Sequence, residues 1–399
     1  MINKSIFGKI ALVVVGALII PTLAVAQIKM GIILGFTGPI ESLTPDMGKS
    51  AELAFKEVSD SGQLLGGQKV SVVRADSTCI DAAAATTAAE RLITSDRVAG
   101  IMGADCSGVT TAIANNVAVP NGVAMISPSA TSPALSTIAD NGYFFRTAPS
   151  DARQGQVLAE ITIERGFNNV AVTFINNDYG KGLSDSFINA YKGLGGKVSA
   201  VVPHEADKAD FSAEVATLDA SGADVLAVFG YVDQGGNHII QGSLDAGSFD
   251  KFILADGMYG ESLLKNMEGD LTGTFGTVPG TDSKGSETFK GMAQSAGITV
   301  GGPFTGESYD AAALLMLAMQ SAGSTDRAAI ASNVLAVANA PGVKIMPGEL
   351  RKGLIILAKG GAVDYVGASN VELVGGGEAS GSYQEFEVKG KSFRTVRYR

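Results

Sequence analysis

Short apolar runs alternate with helical stretches along most of the chain. The run at residues 30–34 ends in the glycine-rich segment 35–39, and the following stretch 48–58 places its apolar side chains on one helical face. A second run at 69–75 leads to another helical stretch at 81–94. Strands that alternate with helices in this way pair in parallel, with helices on both faces of the sheet. The pattern predicts an α/β fold.

The same order of elements recurs in the second half of the chain. A strand pattern at 170–175 leads into a helix, after which LGGKVSAVV at 194–202 repeats LGGQKVSVV at 65–73. Further strands are predicted at 224–229 and 252–255. The repeat therefore predicts two similar lobes, each built on a doubly wound parallel sheet.

The remaining chain is expected to return to the second lobe. Helices are predicted at 309–322 and 326–340, and strand-like pieces at 382–388 and 392–397 follow a glycine-rich stretch. If these strands complete the second sheet, the chain crosses between the lobes three times, through a hinge of three strands. The predicted boundaries are 27–147 plus 279–381 for lobe 1, and 148–278 plus 382–399 for lobe 2.

Two consecutive strands deliver hydroxyl groups to one edge of the first sheet. A buried strand at 98–103 precedes a helical pattern that opens near Ser107, and a strand at 123–127 leads directly to Ser129 and Thr131. Hydroxyls and free backbone N–H groups at a helix start bind anions. Because ligands bind beyond the carboxyl ends of parallel strands, these residues predict a site for a carboxylate in a cleft between the lobes.

Asp256 is the carboxylate of the second lobe that best suits an ammonium group. It follows a predicted buried strand and precedes a glycine, so it would face Ser107 and Thr131 across the cleft. A helix cap or a turn is the alternative for Asp256, and capping is favoured for Asp105 and Asp178.

Aromatic residues are expected to complete the cleft. Tyr179 and Tyr231 follow strand ends in lobe 2, where they would either form a wall beside a ligand or pack against lobe 1. Phe304 precedes the helix predicted at 309–322. It would either contact the side chain of a ligand or belong to the core.

The first 26 residues have the pattern of a secretory signal. Lys4 and Lys9 precede an apolar core at 10–20, and the sequence at 24–26 matches a cleavage site. A membrane anchor is the alternative, but Pro21 ends the core before it reaches the roughly 20 residues of a spanning helix. Removal of the two lysines would change the formal net charge from −10 to −12, which argues against nucleic acid or an anionic membrane as a partner.

Export would place the two cysteines of the chain, Cys79 and Cys106, in an oxidising compartment. An oxidising compartment favours a disulfide between them. Two buried free thiols are the alternative.

The sequence lacks the reactive groups that an enzyme or a metal site requires. Its two histidines, His204 and His238, have no metal-ligand spacing and are predicted to be solvated loop residues. No nucleophile elbow, phosphate-binding loop or dinucleotide fingerprint occurs. We therefore expect a binding protein without a metal or cofactor. A secreted hydrolase using Ser107 or Ser129 is a remote alternative, and a sensory ectodomain would need a transmembrane segment.

Several motifs are shared with one family of binding proteins. They are DSTCIDAAAATTAAERLITSDRVAGIMGADCSG, ISPSATSPAL, FFRTAPSDARQGQ, NDYGKGL, DFSAEVATLDASGADVLAVFGY and ILADG. From about residue 29 to its last strands, the chain resembles the type 1 periplasmic amino-acid-binding proteins of branched-chain (Leu/Ile/Val) ABC transporters. The resemblance implies a two-lobed, hinged fold that closes on a free amino acid and presents it to a membrane permease.

The resemblance also implies how the polar ends of a ligand would be held. Ser107 and Thr131 would bind the α-carboxylate through hydroxyl and backbone N–H groups. The carbonyl of Ser129 and the hydroxyl of Thr131 would hold the α-ammonium together with Asp256, at a position where relatives carry glutamate.

This sequence departs from the family pattern at the pocket for the ligand side chain. Tyr179 and Tyr231 match the cleft tyrosines of the family, and Phe304 matches an aromatic residue near the ligand side chain. This sequence has Met47 where leucine-binding members place a tyrosine. Because aspartate is shorter than the glutamate of the relatives, Asp256 leaves room for a water or for a shifted ammonium.

We therefore predict a monomeric periplasmic solute-binding protein without enzymatic activity. Its ligand would be a free L-amino acid, branched-chain or otherwise aliphatic, taken up through an ABC-transporter permease. A short amide, urea or an aromatic carboxylate is the alternative ligand class.

Overall fold

The computed structural model describes residues 1–2 and 27–399, so the predicted signal core and cleavage site lie outside the described residues. The described chain forms two seven-stranded sheets, both dominated by parallel strands, and one small parallel pair. The two-lobed α/β architecture predicted from the repeat is confirmed. Among these described residues, none of the helices has the length and apolar character needed to cross a bilayer.

Lobe 1 is the first sheet with the helices that pack on it. Its opening elements are β1 (Ile28–Leu34), α1 (Thr44–Ser61), β2 (Val70–Asp76), α2 (Ala82–Glu90), β3 (Ile101–Gly103), α3 (Ser107–Ile113), β4 (Met125–Ser127) and β5 (Phe144–Arg146). The strands lie in the order β5-β4-β3-β1-β2. Ile33 of β1 packs into one apolar cluster, whereas Ile32 and Leu34 pack into another on the opposite face. Both faces are therefore buried, as a parallel sheet requires.

Lobe 2 is the second sheet with its helices, and it repeats this arrangement. Its elements are α4 (Asp151–Glu164), β6 (Asn169–Ile175), α5 (Asp178–Gly193), β7 (Lys197–His204), α6 (Ser212–Asp219), β8 (Val225–Phe229), α7 (Gly236–Ala246), β9 (Phe252–Leu254), α8 (Glu261–Asn266) and β10 (Phe275–Pro279). The strands lie in the order β10-β9-β8-β6-β7. The corresponding strand orders place the carboxyl ends of both sets of strands at facing edges.

The rest of the chain adds elements to both lobes. These elements are α9 (Lys284–Ser295), α10 (Thr305–Ala322), α11 (Arg327–Ala338), β11 (Val343–Ile345), α12 (Leu350–Ala358), β12 (Val363–Tyr365), β13 (Leu373–Val374), β14 (Glu378–Ala379), β15 (Tyr383–Lys389) and β16 (Ser392–Tyr398). The β13-β14 hairpin extends the first sheet beside β5, whereas β15 and β16 pair antiparallel on the edge formed by β10. The chain therefore passes between the two sheets three times.

Helix α10 forms the apolar centre of lobe 1. Its residues from Glu307 to Gln320 are all buried, and α1 packs along it. A helix that is buried on all sides needs apolar residues around its whole circumference, which explains its sequence AAALLMLAM. This core fixes Met47 of α1 and Phe304 at the start of α10 relative to the cleft.

Some predicted helix boundaries differ from the structure. Helix α1 begins at Thr44 rather than residue 48, because Pro45 lies in its first turn, where proline needs no backbone partner. The helix predicted at 81–94 and the one that opens near Ser107 end in π-helical segments, at Arg91–Ser95 and Ala114–Ala118.

The prediction that both histidines are solvated loop residues was wrong. His204 ends strand β7, is 1% exposed, and its Nδ1 lies 2.8 Å from the Thr173 hydroxyl. Burial lowers the pKa of His204 to about 4, so it is a neutral core residue. His238 is exposed but lies in α7, where its ring stacks on Phe211.

Candidate functional site

A small cavity with about 30 Å³ of enclosed space lies between the two lobes, beyond the carboxyl ends of their parallel strands. The cavity brings together groups that are far apart in sequence. The predicted site residues that line it are Met47, Ser107, Ser129, Tyr179, Tyr231, Asp256 and Phe304, whereas Thr131 does not line it.

The loop that follows β4 is fixed from behind by buried hydrogen bonds. The Ser127 hydroxyl donates to the carbonyl of Ala104 at 2.5 Å and accepts the N–H of Ala130 at 2.9 Å. The buried Arg146 donates to the carbonyls of Ala130 and Ser132 at 3.1 and 2.9 Å. These bonds hold Ser129 in place, and its hydroxyl donates to the carbonyl of Asp105 at 3.1 Å.

Ser107 connects the loops that follow β3 and β4. It is 2% exposed, and its hydroxyl oxygen accepts the N–H of Ser132 at 3.1 Å. The hydroxyl proton remains free to be donated to a ligand anion. Cys106, directly before it, is bonded to Cys79 with a Cα–Cα distance of 5.1 Å, which confirms the predicted disulfide.

Asp105 lines the same cavity but is already satisfied. One carboxylate oxygen accepts the N–H of Gly35 at 2.5 Å, and the other accepts the Ser77 hydroxyl at 2.8 Å. It therefore ties together the loops after β1, β2 and β3. Asp178 is exposed in the first turn of α5, where Asn177 supplies the cap. Both residues have local structural roles.

Asp256 is a buried carboxylate that accepts one long hydrogen bond from the residues the structure describes. It is 2% exposed, and one oxygen accepts the Tyr179 hydroxyl at 3.2 Å. The Tyr179 oxygen in turn accepts the N–H of Gly257 at 3.2 Å. Burial raises the pKa of Asp256 to about 6, because a charge without a counter-charge is unfavourable at low dielectric. Its side chain caps no helix, since it faces the cavity from a 3₁₀ turn at Asp256–Met258.

Asp151 is a second buried carboxylate beside Asp256, and sequence reasoning missed it. It is the first residue of α4 and is completely buried, yet neither carboxylate oxygen has a hydrogen-bond partner among the described residues. Burial and the charge of Asp256 raise the pKa of Asp151 well above its ordinary value. In sequence, Ser150-Asp151 has the pattern of an ordinary helix start, so nothing distinguished it.

Thr131 lies on the Asp151 side of the site. It is 1% exposed, its carbonyl accepts the N–H of Asp151 at 2.8 Å, and its hydroxyl is unpaired among the described residues. Its hydroxyl is positioned closer to the acidic pair than to the cavity lining.

The aromatic residues form one wall of the cavity. The rings of Tyr179 and Tyr231 stack with centroids 5.4 Å apart, and the Asn177 amide donates to the Tyr231 hydroxyl at 3.1 Å. Phe304 is 5% exposed and is the N-cap residue of α10, with a φ of 57°. This left-handed backbone is uncommon for an aromatic residue and turns the chain sharply at the cavity.

The opposite end of the cavity is apolar. Met47 is 1% exposed and lies beside Ile40 and Leu43, which come from the loop between β1 and α1. Sequence reasoning identified Met47 only through a family resemblance and missed Ile40 and Leu43. Within the described chain, no cluster of three or more His, Cys, Asp or Glu side chains is arranged to hold a metal ion.

Comparisons with known proteins identify the family of the chain. The family model described as "Periplasmic binding protein" matches residues 27–351. The Leu/Ile/Val-binding protein homolog 1 of Brucella abortus is 30% identical over 332 residues, which cover 81% of this chain and 86% of that protein.

Solved structures show the same fold. A leucine-binding protein, LivK, from Thermotoga maritima has a TM-score of 0.79 at 24% identity, covering 93% of this chain and 98% of that chain. A solute-binding protein from R. palustris in complex with 4-hydroxybenzoate has a TM-score of 0.74 at 19% identity, covering 94% and 97%. The chain thus belongs to the periplasmic binding protein family and is a relative of its Leu/Ile/Val-binding members, as its motifs predicted.

Proposed function

We propose that this chain binds a free L-amino acid with an aliphatic side chain in the cavity between its lobes. The observation that carries the proposal is the chemistry of the two ends of that cavity. Hydroxyl groups of lobe 1 lie opposite a buried, unneutralised carboxylate of lobe 2, and apolar side chains lie beside both. A zwitterion with an apolar side chain satisfies all three.

The carboxylate of the ligand would be held by lobe 1. The Ser107 hydroxyl accepts the N–H of Ser132 and can donate its own proton to a ligand anion. Ser129 lies in the neighbouring loop that Ser127 and Arg146 hold in place, and its hydroxyl donates to the Asp105 carbonyl at 3.1 Å. Neutral hydrogen-bond donors suit an anion in a dry site, because they need no counter-charge of their own.

The ammonium of the ligand would be held by lobe 2. Asp256 and Asp151 are buried beside each other. Burial and the charge of Asp256 raise the pKa of Asp151 although the Arg146 guanidinium lowers it, so the two carboxylates lack a full counter-charge. An ammonium ion would supply that counter-charge. Its charge-assisted hydrogen bonds would replace the single contact that Asp256 now makes with Tyr179.

The family's members are solute-binding proteins, and we infer a non-catalytic role for this chain as well. The ligand would contact both lobes and so stabilise their closed arrangement, which a membrane permease of an ABC transporter would recognise. This role implies export to the periplasm as a monomer, by way of the segment 1–26. We propose lobe boundaries at 27–147 plus 279–381 for lobe 1 and at 148–278 plus 382–399 for lobe 2.

An aromatic carboxylate is the second candidate ligand. The R. palustris relative was solved with 4-hydroxybenzoate, and here Tyr179, Tyr231 and Phe304 provide aromatic surface in the cavity. Such an acid would engage Ser107 but would leave Asp256 and Asp151 without a cation.

Calorimetry with matched ligands distinguishes these candidates. L-Leucine is compared with 4-methylpentanoate, which lacks the ammonium, with 3-methylbutylamine, which lacks the carboxylate, and with 4-hydroxybenzoate. We expect leucine to bind at least a hundredfold more tightly than either truncated analogue, because each leaves one buried group unpaired. Equal binding of 4-methylpentanoate, or tighter binding of 4-hydroxybenzoate, would overturn the assignment of the ammonium.

A further inference from the structure

A polar junction joins the two lobes at the mouth of the cavity. The Asp233 carboxylate of lobe 2 accepts the backbone N–H of Ser42 of lobe 1 at 2.9 Å. Its other oxygen accepts the hydroxyl of Ser262 at 3.0 Å, and that hydroxyl lies 3.0 Å from the hydroxyl of Ser42. The backbone N–H of Asp233 donates to the carbonyl of Pro39 at 3.0 Å.

The segment held by this junction also lines the ligand cavity. Residues 39–43 belong to the loop that connects β1 to α1, and Ile40 and Leu43 of this segment line the cavity with Met47. Asp233 bonds to the backbone on both sides of Ile40, through Pro39 and Ser42. It therefore fixes the segment by its main chain and leaves the side chains of Ile40 and Leu43 free to face a ligand.

Leu43 also packs against lobe 2 beside the junction. A Cβ atom added at Gly260 would lie 3.0 Å from the Leu43 Cδ2 atom, so the absence of a side chain at Gly260 allows the close approach. Gly260 directly precedes α8, which carries Ser262. The polar junction and this apolar contact thus hold the same segment against the same part of lobe 2.

We propose that Asp233 is a positioning residue for ligand specificity, because it holds Ile40 and Leu43 in place at the apolar end of the cavity. The proposal rests on the amino-acid-binding function proposed above. The carboxylate contacts no part of the site directly and acts through the main chain of residues 39–43. Removing it releases the Ser42 end of that segment while the main-chain bond to Pro39 remains, so large apolar side chains lose contacts with Ile40 and Leu43, whereas a ligand with a small side chain loses little.

The test compares ligands of different side-chain size in matched variants. Calorimetry with L-leucine and L-alanine is carried out on the wild-type protein and on Asp233→Ala, Asp233→Asn and Ser262→Ala. Asp219→Ala is the control, because Asp219 is an exposed residue of α6 and the substitution makes the same change in charge. Thermal unfolding of each variant verifies that it folds.

We expect Asp233→Ala to weaken leucine binding about tenfold to a hundredfold, the range of a charge-assisted hydrogen bond. Alanine binding should weaken less, so the leucine-to-alanine affinity ratio should fall. Asp233→Asn retains an acceptor for the Ser42 N–H and should restore most of the ratio, and Ser262→Ala should have a smaller effect than Asp233→Ala. An unchanged ratio in Asp233→Ala would overturn the proposal.

Hydrogen exchange at residues 38–44 provides a readout that does not depend on the identity of the ligand. The Ser42 amide is expected to exchange faster in Asp233→Ala than in the wild type or in Asp219→Ala. If the wild type binds no amino acid, the proposed function fails regardless of Asp233. If leucine binds but exchange at Ser42 is the same in all variants, the positioning role alone fails.

Discussion

The two lobes each contribute a buried carboxylate to the cavity, but they differ in how far the protein satisfies it. Asp105 and Asp256 show this difference. Both are buried carboxylates of the cavity lining. Asp105 of lobe 1 accepts two hydrogen bonds from Gly35 and Ser77, whereas Asp256 of lobe 2 accepts one long bond from Tyr179. A carboxylate that the protein satisfies supports the architecture, and one that it leaves unsatisfied is available to a ligand. Burial alone would not have separated them.

The largest expected effect follows from removing the unsatisfied carboxylate. Asp256→Ala should cost about 3–5 kcal/mol of leucine-binding free energy, because the ligand ammonium would be buried without its main partner. Calorimetry at pH 7.5 measures this loss. Asp105→Asn is the matched control from lobe 1. It should lower the melting temperature and leave the preference for leucine over 4-methylpentanoate unchanged, and a loss of that preference would contradict the division of roles.

The disulfide is expected to have the next largest effect, on stability. Replacing both Cys79 and Cys106 with serine should lower the free energy of unfolding by about 3.5 kcal/mol, since the bridge closes a loop of 27 residues in the unfolded chain. Denaturant unfolding of the variant and of the wild type with and without reductant measures it. Equal unfolding free energies in the two proteins would show that the bridge does not stabilise lobe 1.

The acidic pair predicts opposite pH dependences for binding and for stability. The pKa of Asp256 is raised to about 6 and that of Asp151 is also raised. Because an ammonium needs Asp256 to be ionised, affinity for leucine should fall about tenfold per pH unit below pH 6. The contribution of Asp256 to stability in the ligand-free protein has the other sign. It is fully present below the unfolded pKa near 4 and is lost as the pH rises through 6.

Calorimetry and thermal unfolding between pH 4.5 and 8 test both parts of this prediction. Asp256→Asn should flatten both profiles, whereas Asp105→Asn should leave the binding profile unchanged. A wild-type affinity that does not vary between pH 5 and 7 would contradict the presence of a titrating pair at the ammonium site.

The smallest expected effect concerns a neutral donor of lobe 1. Ser107→Ala removes one hydroxyl from the carboxylate side and should weaken leucine binding by about 1.5–3 kcal/mol, the range for a hydrogen bond to a charged group. Binding of 3-methylbutylamine, which has no carboxylate, should not change. Calorimetry with both ligands separates a lost hydrogen bond from a general disturbance of the loop.

The parts of the fold that depend on local pattern were predictable from the sequence. The strands at 30–34, 170–175 and 224–229 are short apolar runs bounded by glycine or polar residues, and the structure places strands there. The position of Ser107 and Asp256 beyond strand ends followed from the general rule for parallel sheets. These inferences need only the spacing of residues along the chain.

Features that depend on tertiary contacts could not be predicted in this way. His204 becomes buried only because β7 is covered by neighbouring helices, and its neutral state follows from that burial. Asp151 has the sequence pattern of a helix start, and its lack of partners is visible only when lobe 2 surrounds it. Ile40 and Leu43 reach the cavity because Asp233, nearly two hundred positions away, holds their loop.

The pairing of β15 and β16 with β10 has a consequence for the order of folding. Lobe 2 begins after β5, yet its sheet gains its outer strands only when residues 383–398 have been made. Lobe 1 likewise receives its β13-β14 hairpin after most of lobe 2 has been synthesised. A growing chain therefore carries two sheets with open edges until its final stretch is complete, and neither lobe can be produced as one uninterrupted fragment.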